Sequence, residues 1–208
     1  LALASAGVSV VAVDASQEMV RVARSKAEER GLEDRVEFHR ARARDLPHLA
    51  DSLGGPFAGG YASFSLAYEP DLRPVATGLH ELLNPQARFL ASVPSRFCLV
   101  EFLLAVGSGH PSFAGRRLGD WHGHKVGAQF VPIRTYTPHS FVMAMEPYFT
   151  LERMEALPAI VPPPYMNRVY ARFDGLADAL ERVDERLRAR FPFRSVGDHF
   201  LAELRHVS

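Results

Sequence analysis

The sequence predicts an α/β fold: a doubly wound, mostly parallel sheet with an antiparallel last strand and an inserted helical cap. Three observations predict it. An apolar run from Val8 to Val13, interrupted only by Ser9, meets Asp14 and gives way at once to a helical pattern, and such runs belong to strands covered on both faces. Strand-like and helix-like patterns then alternate as far as Pro94, the rhythm of crossover units in an open sheet. After a long irregular stretch, Gly197 to His206 (GDHFLAELRH) returns to strand-like alternation.

Each element has a local reason. After the Val8–Val13 strand, Ser16 is placed to cap a helix with Glu18 in its first turn. Met19, Val22, Ala23 and Ala27 recur at helical spacing, and Gly31 supplies the stop. Val36-Glu37-Phe38 is a short second strand, and the three pieces have the size of one strand–helix–strand unit. Gly60 to Leu66 (GYASFSL) reads as the next strand. Leu72, Val75, Ala76, Leu79, Leu82 and Leu83 form a helical stripe that Asn84-Pro85 ends, and Ala87 to Val93 is again a strand.

Beyond Pro94 the rhythm breaks. Phe97 to Val106 is an apolar helical segment, followed by a Gly/His/Arg-rich stretch to Gly127. Pro138 to Met145 reads as a short helix and Phe149 to Leu157 as a strand. VPPPYM, Val161 to Met166, is a stiff linker because proline fixes φ and blocks pairing. Leu176, Leu180, Val183 and Leu187 mark an amphipathic helix, with Asp178/Arg182 and Asp184/Arg188 at ion-pair spacing. The expected organisation is a core over residues 1–94, a cap or substrate insertion over 95–137, and completion of the sheet with an additional helix over 138–208.

Composition sets bounds. The 208 residues suffice for one sizeable domain. Twenty-four basic side chains balance 24 acidic ones, so no global field favours nucleic acid or an anionic membrane. The apolar N-terminus lacks a basic n-region, and no stretch approaches the roughly 18 apolar residues of a spanning helix. Cys98 is the single cysteine, which excludes an internal disulfide and suits a reducing cytoplasm.

The acid at the tip of the first strand carries the functional argument. In doubly wound sheets ligands sit outside the carboxyl ends of the strands, and a carboxylate there can accept from both hydroxyls of a ribose. An Asp before a helix can equally serve as its cap; Asp14 alone leaves the two readings level.

The wider stretch VVAVDASQEMVRVARSKAEERGLEDRVEFHRARARDL resembles class I S-adenosylmethionine-dependent methyltransferases, through Asp14, Ala15, Ser16, Met19, Ala23 and Arg24. PFAGGYASFSLAYEPDLRPVATGLHELLNPQARFLASVPSRFCLVE is similar to that family's next strand, helix and strand, and PPPY and GDHFLAEL resemble its bacterial small-molecule subset. The resemblance implies a Rossmann-like fold, S-adenosyl-L-methionine as cofactor, and methyl transfer to a small molecule. It implies cofactor contacts from Asp14, Ala15, Ser16, Met19, Arg42, Ala43, Phe64 and Ser65. In that family a first strand and a glycine-rich turn precede the strand ending at Asp14, whereas LALASAGVS resembles only the end of the helix after that turn. The chain is therefore expected to be a truncated member, with its first and third strands each short of a neighbour.

Departures from the family pattern are informative. An acid usually meets the adenine amino group where Arg42 stands, and a guanidinium has no acceptor. Arg42 is left to stack on the ring or to form, with Arg40 and Arg44, one solvated face. The Ala43 amide takes the ring edge, and a slip in register hands the contact to Asp45. Ala58, Gln86 and Ala87 replace the usual residues at strand entry and turn.

Acceptor-site candidates follow the Gly60–Leu66 strand (Tyr68, Glu69) or lie in or beside the insertion (His110, Trp121, Tyr136). WHGHK spaces His122 and His124 two apart with no further ligand pattern, so no metal is expected. Tyr165 and Tyr170 read as packing residues of the cap. Asp198-His199 is reminiscent of a triad fragment, but no Gly-x-Ser-x-Gly elbow accompanies it.

Two rival readings remain. A nicotinamide-dependent (NAD) oxidoreductase also ends its second strand on a ribose-binding acid, yet the chain offers no Tyr-x-x-x-Lys pair after the Ala87–Val93 strand. A catalytically degenerate binding or scaffold domain is favoured by Arg42 and Ala58.

Overall fold

The computed structural model describes residues 1–110, 115–119, 121–126, 129–162 and 177–207. In chain order the elements are α1 (Ala2–Ser5), β1 (Val10–Asp14), α2 (Gln17–Glu28), β2 (Val36–Arg40), α3 (Leu46–Leu53), β3 (Phe57–Ser63), α4 (Arg73–Leu82), β4 (Leu83–Pro94), α5 (Leu99–Gly107), β5 (Trp121–Val126), β6 (Gln129–Arg134), α6 (Pro138–Met145), β7 (Phe149–Leu157), α7 (Ala177–Leu187) and β8 (His199–His206).

The strands form one parallel pair, β1–β2, a four-stranded sheet in the order β3-β4-β8-β7, and a hairpin, β5–β6. β3 runs parallel to β4, while β8 is antiparallel to both β4 and β7. Within this sheet only β8 is reversed, as the sequence pattern leads one to expect of the last strand. Among the described residues β1 pairs only with β2, and β3 only with β4.

The core lies under the four-stranded sheet. Alternate residues of β8, Phe200, Ala202 and Leu204, face it and are fully buried, the period-two signature of a strand with one covered face. Phe89, Ala91 and Val93 of β4 join them, with Val75, Ala76, Leu79 and Leu82 from α4 and Phe141 and Met145 from α6. Each of the larger side chains contributes about 1.5–3 kcal/mol by leaving water. α4 meets α3 closely at Gly78, where an added Cβ would stand 2.5 Å from the Leu46 Cβ.

The sequence pattern places most elements correctly and errs in particular spots. α4 ends where Asn84-Pro85 predicts, but the chain passes directly into β4 without a loop. Its pairing with β3 slips between Phe57 and Gly59, and in the same stretch Gln86 takes a left-handed φ of 66°. The strand expected over Gly60–Leu66 stops at Ser63 and turns into a 3-10 segment, Ser65–Tyr68.

Residues 95–137, expected to form a helical cap, are not wholly helical. They hold α5 and the β5–β6 hairpin, whose Gly, His and Arg content hides the strand signal. Asp184 does not pair with Arg188. Its Oδ1 accepts the backbone N–H groups of Ala159, Ile160 and Val161 at 2.9, 2.5 and 3.0 Å, tying α7 to the segment after β7, while Arg188 reaches Glu155 at 3.3 Å. The PPPY segment with Tyr165 and Tyr170 lies outside the described residues.

Candidate functional site

Asp14 sits at the carboxyl end of β1 with its carboxylate exposed. Ser16, in extended conformation, is the residue that caps α2: its Oγ accepts the Met19 amide at 3.3 Å. Asp14 is thereby released from the capping role. Its Oδ1 accepts the Ser16 amide at 2.7 Å, an Asx turn that fixes the carboxylate's direction.

The Asp14 carbonyl accepts the Ala41 amide at 3.1 Å, and Asp14 stands opposite Arg40 in the β1–β2 ladder. This brings residues 41–43 beside the β1 tip. Ala43 packs on the core, whereas Arg42 is exposed. The Arg42 amide donates to Asp45 Oδ2 at 3.1 Å, so Asp45 is committed to closing this turn. Ala15 and the Met19 side chain are exposed beside Asp14.

A second group gathers at the carboxyl ends of β3 and β4. Phe64 follows β3 with φ 58° and ψ −15°, a costly conformation for a bulky side chain. Its amide donates to the Ser92 carbonyl at 2.9 Å. Ser65 and Tyr68 are exposed on the 3-10 turn, while Leu66 and Ala67 point inward. Glu69 is only 5% exposed. Arg44 stands 3.8 Å from its Oε2, which makes no hydrogen bond among the described residues.

The remaining acceptor-site candidates do not share one environment. Tyr136 is core: 2% exposed, its ring packs edge-on against Phe141 with centroids 5.7 Å apart. His110 ends the turn after α5, its Nδ1 2.9 Å from the Ser108 carbonyl. Trp121 opens β5 and is exposed. Among the described residues no cluster of three His, Cys, Asp or Glu side chains is placed to hold a metal ion.

The sequence reading passed over one constellation. Where β8 begins beside the carboxyl end of β4, Asp198 and His199 face each other, Nδ1 to Oδ2, at 3.2 Å. Because a carboxylate only accepts, the imidazole donates from Nδ1. The His199 ring lies 4.7 Å, centroid to centroid, from the Phe64 ring.

Behind them Arg117, buried, donates to Asp198 Oδ1 at 2.5 Å and to the Asp198 carbonyl at 2.7 Å. Arg117 also bonds buried Glu101, which holds Arg116 as well. Burial pushes the Asp198 carboxyl up, but the hydrogen bond from His199 and the charge of Arg117 outweigh it and leave the group below its ordinary value. Burial drives the Cys98 thiol up to about 11. The available signal was the expected antiparallel direction of the last strand, whose first residues then lie at the carboxyl end of its neighbour.

The acceptor at the β1 tip, an exposed carboxylate held in direction by the Ser16 amide, could receive hydrogen bonds from the two hydroxyls of a vicinal diol. Residues 1–86 match the model of a methyltransferase-domain family. No curated protein matches the chain. Solved structures share its fold. The CcbJ methyltransferase of Streptomyces caelestis is 15% identical with a TM-score of 0.59, covering 99% of this chain and 78% of its own. An S-adenosylmethionine-dependent methyltransferase of Methanosarcina mazei is 14% identical with a TM-score of 0.56, covering 99% and 85%. The 4+2 cyclase SpnF is 14% identical with a TM-score of 0.57, and this chain spans 66% of its length against 96% of its own. No helix among the described residues is long and apolar enough to cross a membrane. The first 86 residues thus match a methyltransferase-domain family, on a chain that shares its Rossmann-like fold with solved methyltransferases.

Proposed function

We propose that this protein binds S-adenosyl-L-methionine and transfers its methyl group to a small-molecule nucleophile in the cytoplasm. The observation that carries the reading is Asp14. Ser16 takes over the helix cap, so the acid at the β1 tip is free for a ligand while the Ser16 amide holds its direction.

Asp14 then accepts from the ribose hydroxyls. The Ala43 amide meets the adenine edge and Arg42 lies along the ring face. Ala15, Ser16, Met19, Phe64 and Ser65 line the remainder. When bound, the cofactor supplies an electrophilic methyl group on a sulfonium. The protein's task is to hold a nucleophile in line with it and keep water out. Exposed Tyr68 and Trp121 are the aromatic surfaces offered to an acceptor, with Glu69 and His110 as polar candidates.

A second reading, a binding domain without methyl transfer, is supported by Arg42, which cannot make the usual acceptor contact. A protein described as a cyclase shares the fold, so the fold by itself does not require methyl transfer. Calorimetric titration of the full gene product with S-adenosylhomocysteine tests the proposal. Micromolar binding, about −8 kcal/mol, that weakens at least tenfold in Asp14→Ala supports it. Absence of binding, followed by heat with NAD, hands the site to the oxidoreductase reading.

A further inference from the structure

We propose that His199, oriented by Asp198, is the general base that takes the proton of the methyl acceptor; this rests on the methyltransferase reading above. Position, orientation and construction carry it.

Position comes first. β8 is antiparallel, so its first residue lies at the carboxyl edge of β3 and β4, opposite Pro94, where open α/β sheets bind ligands. His199 touches Phe64 there, and Phe64 is one of two non-glycine residues with positive φ among the described residues. Strain of this kind persists where the surroundings over-determine it, and it collects at ligand sites.

Orientation follows from the hydrogen bond. Nδ1–H donates to Asp198 Oδ2, which fixes the neutral tautomer with its lone pair on Nε2. The Asp198 carboxylate is on hand to stabilise the imidazolium that forms when Nε2 takes a proton, the role an orienting acid plays behind a catalytic histidine.

Construction is the third support. Arg117 grips both the side chain and the backbone carbonyl of Asp198, and Gly197 leaves no room for a Cβ against Ala156 and the Pro158 carbonyl. The Asp198 amide donates to Pro158 and its carbonyl accepts the Ser95 amide, at 3.1 Å each. A buried guanidinium between two carboxylates is expensive to desolvate. It is spent here on a residue that fixes an imidazole at the ligand edge.

The charged and titratable groups around His199 are Asp198, the residue just before β8, Arg116 and Arg117 from the turn before β5, and Glu101 and the neutral Cys98 thiol at α5. Ser95 after β4 and Leu157 of β7 add no charge.

In the reaction the acceptor's O–H or N–H bond breaks and its proton passes to Nε2. The acceptor atom forms its bond to the methyl carbon, and the carbon–sulfur bond breaks with its electron pair remaining on sulfur. His199 ends as an imidazolium paired with Asp198, and solvent later removes the proton.

The test reads His199 directly. Sinefungin carries a positively charged amine in place of the methylsulfonium, and S-adenosylhomocysteine carries neither. The imidazole resonances of the isotope-labelled full gene product are followed through a pH titration in each complex. His199 is identified by the signal missing in His199→Gln or, should that variant fold poorly, His199→Asn. A base beside the methyl position feels the amine, so its midpoint falls by about one pH unit in the sinefungin complex, a tenfold change in proton affinity. Equal midpoints in two tight complexes would sink the base assignment while leaving the cofactor reading intact. Failure of both ligands to bind overturns the two together.

Discussion

The β1–β2 pair and the four-stranded sheet are built to different standards. In β1 no residue is fully buried, and Val11 and Val13 only lean on the core. In β8 every second residue from Phe200 to His206 is buried, and the strand has a partner on each side. The unit that carries Asp14, the proposed ribose ligand, thus adds little to the core, whereas the sheet that carries the core also anchors His199. The packing is unevenly divided between the two regions.

The comparison can be broken by truncating each half. Phe200→Ala should cost about 3–5 kcal/mol, against about 1 kcal/mol or less for Val11→Ala, both read by denaturant midpoints. Equal losses would show that β1–β2 shares the core after all. Asp184→Ala comes next: removing the acceptor of three backbone amides should cost about 2–3 kcal/mol, with Asp184→Asn recovering part of it. In contrast, Asp14→Ala should leave the midpoint within about 1 kcal/mol while weakening S-adenosylhomocysteine. A large loss of stability there would make Asp14 a structural residue.

Acid sharpens the contrast further. The native Asp198 carboxyl is held below its unfolded value of 3.8. Its contribution is complete above that value and disappears as pH falls through the lower native one. Wild type should therefore lose stability relative to Asp198→Asn only below about pH 4, as followed by denaturation at stepped pH. The smallest effect is expected at Gln86→Gly, a gain of about 0.5–1 kcal/mol from relief of the left-handed backbone.

The alternating elements through Pro94 were legible because strand and helix periods are local properties. The capping serine and the acid at the β1 tip were legible for the same reason. The β5–β6 hairpin was not: its strand pairing is non-local, and glycine and histidine carry no strand signal. Tyr136 drew notice as an aromatic beside the insertion, yet α6 brings Phe141 against it and encloses it. Asp184 looked like half of a helical ion pair because spacing along a helix cannot reveal a distant loop that needs an acceptor. Asp198-His199 was passed over for want of a serine partner, since only the sheet order shows that they stand beside Phe64.

The position of β8 has a consequence in time. The strand at the centre of the four-stranded sheet, between β4 and β7, is made of residues 199–206. During synthesis β3, β4 and β7 leave the ribosome with the slot between β4 and β7 empty and two strand edges bare. Such edges invite pairing with other chains. Until these eight residues arrive the two edges stay open, and one insertion of β8 closes both, covers the core and sets His199 opposite Pro94 at the carboxyl end of β4.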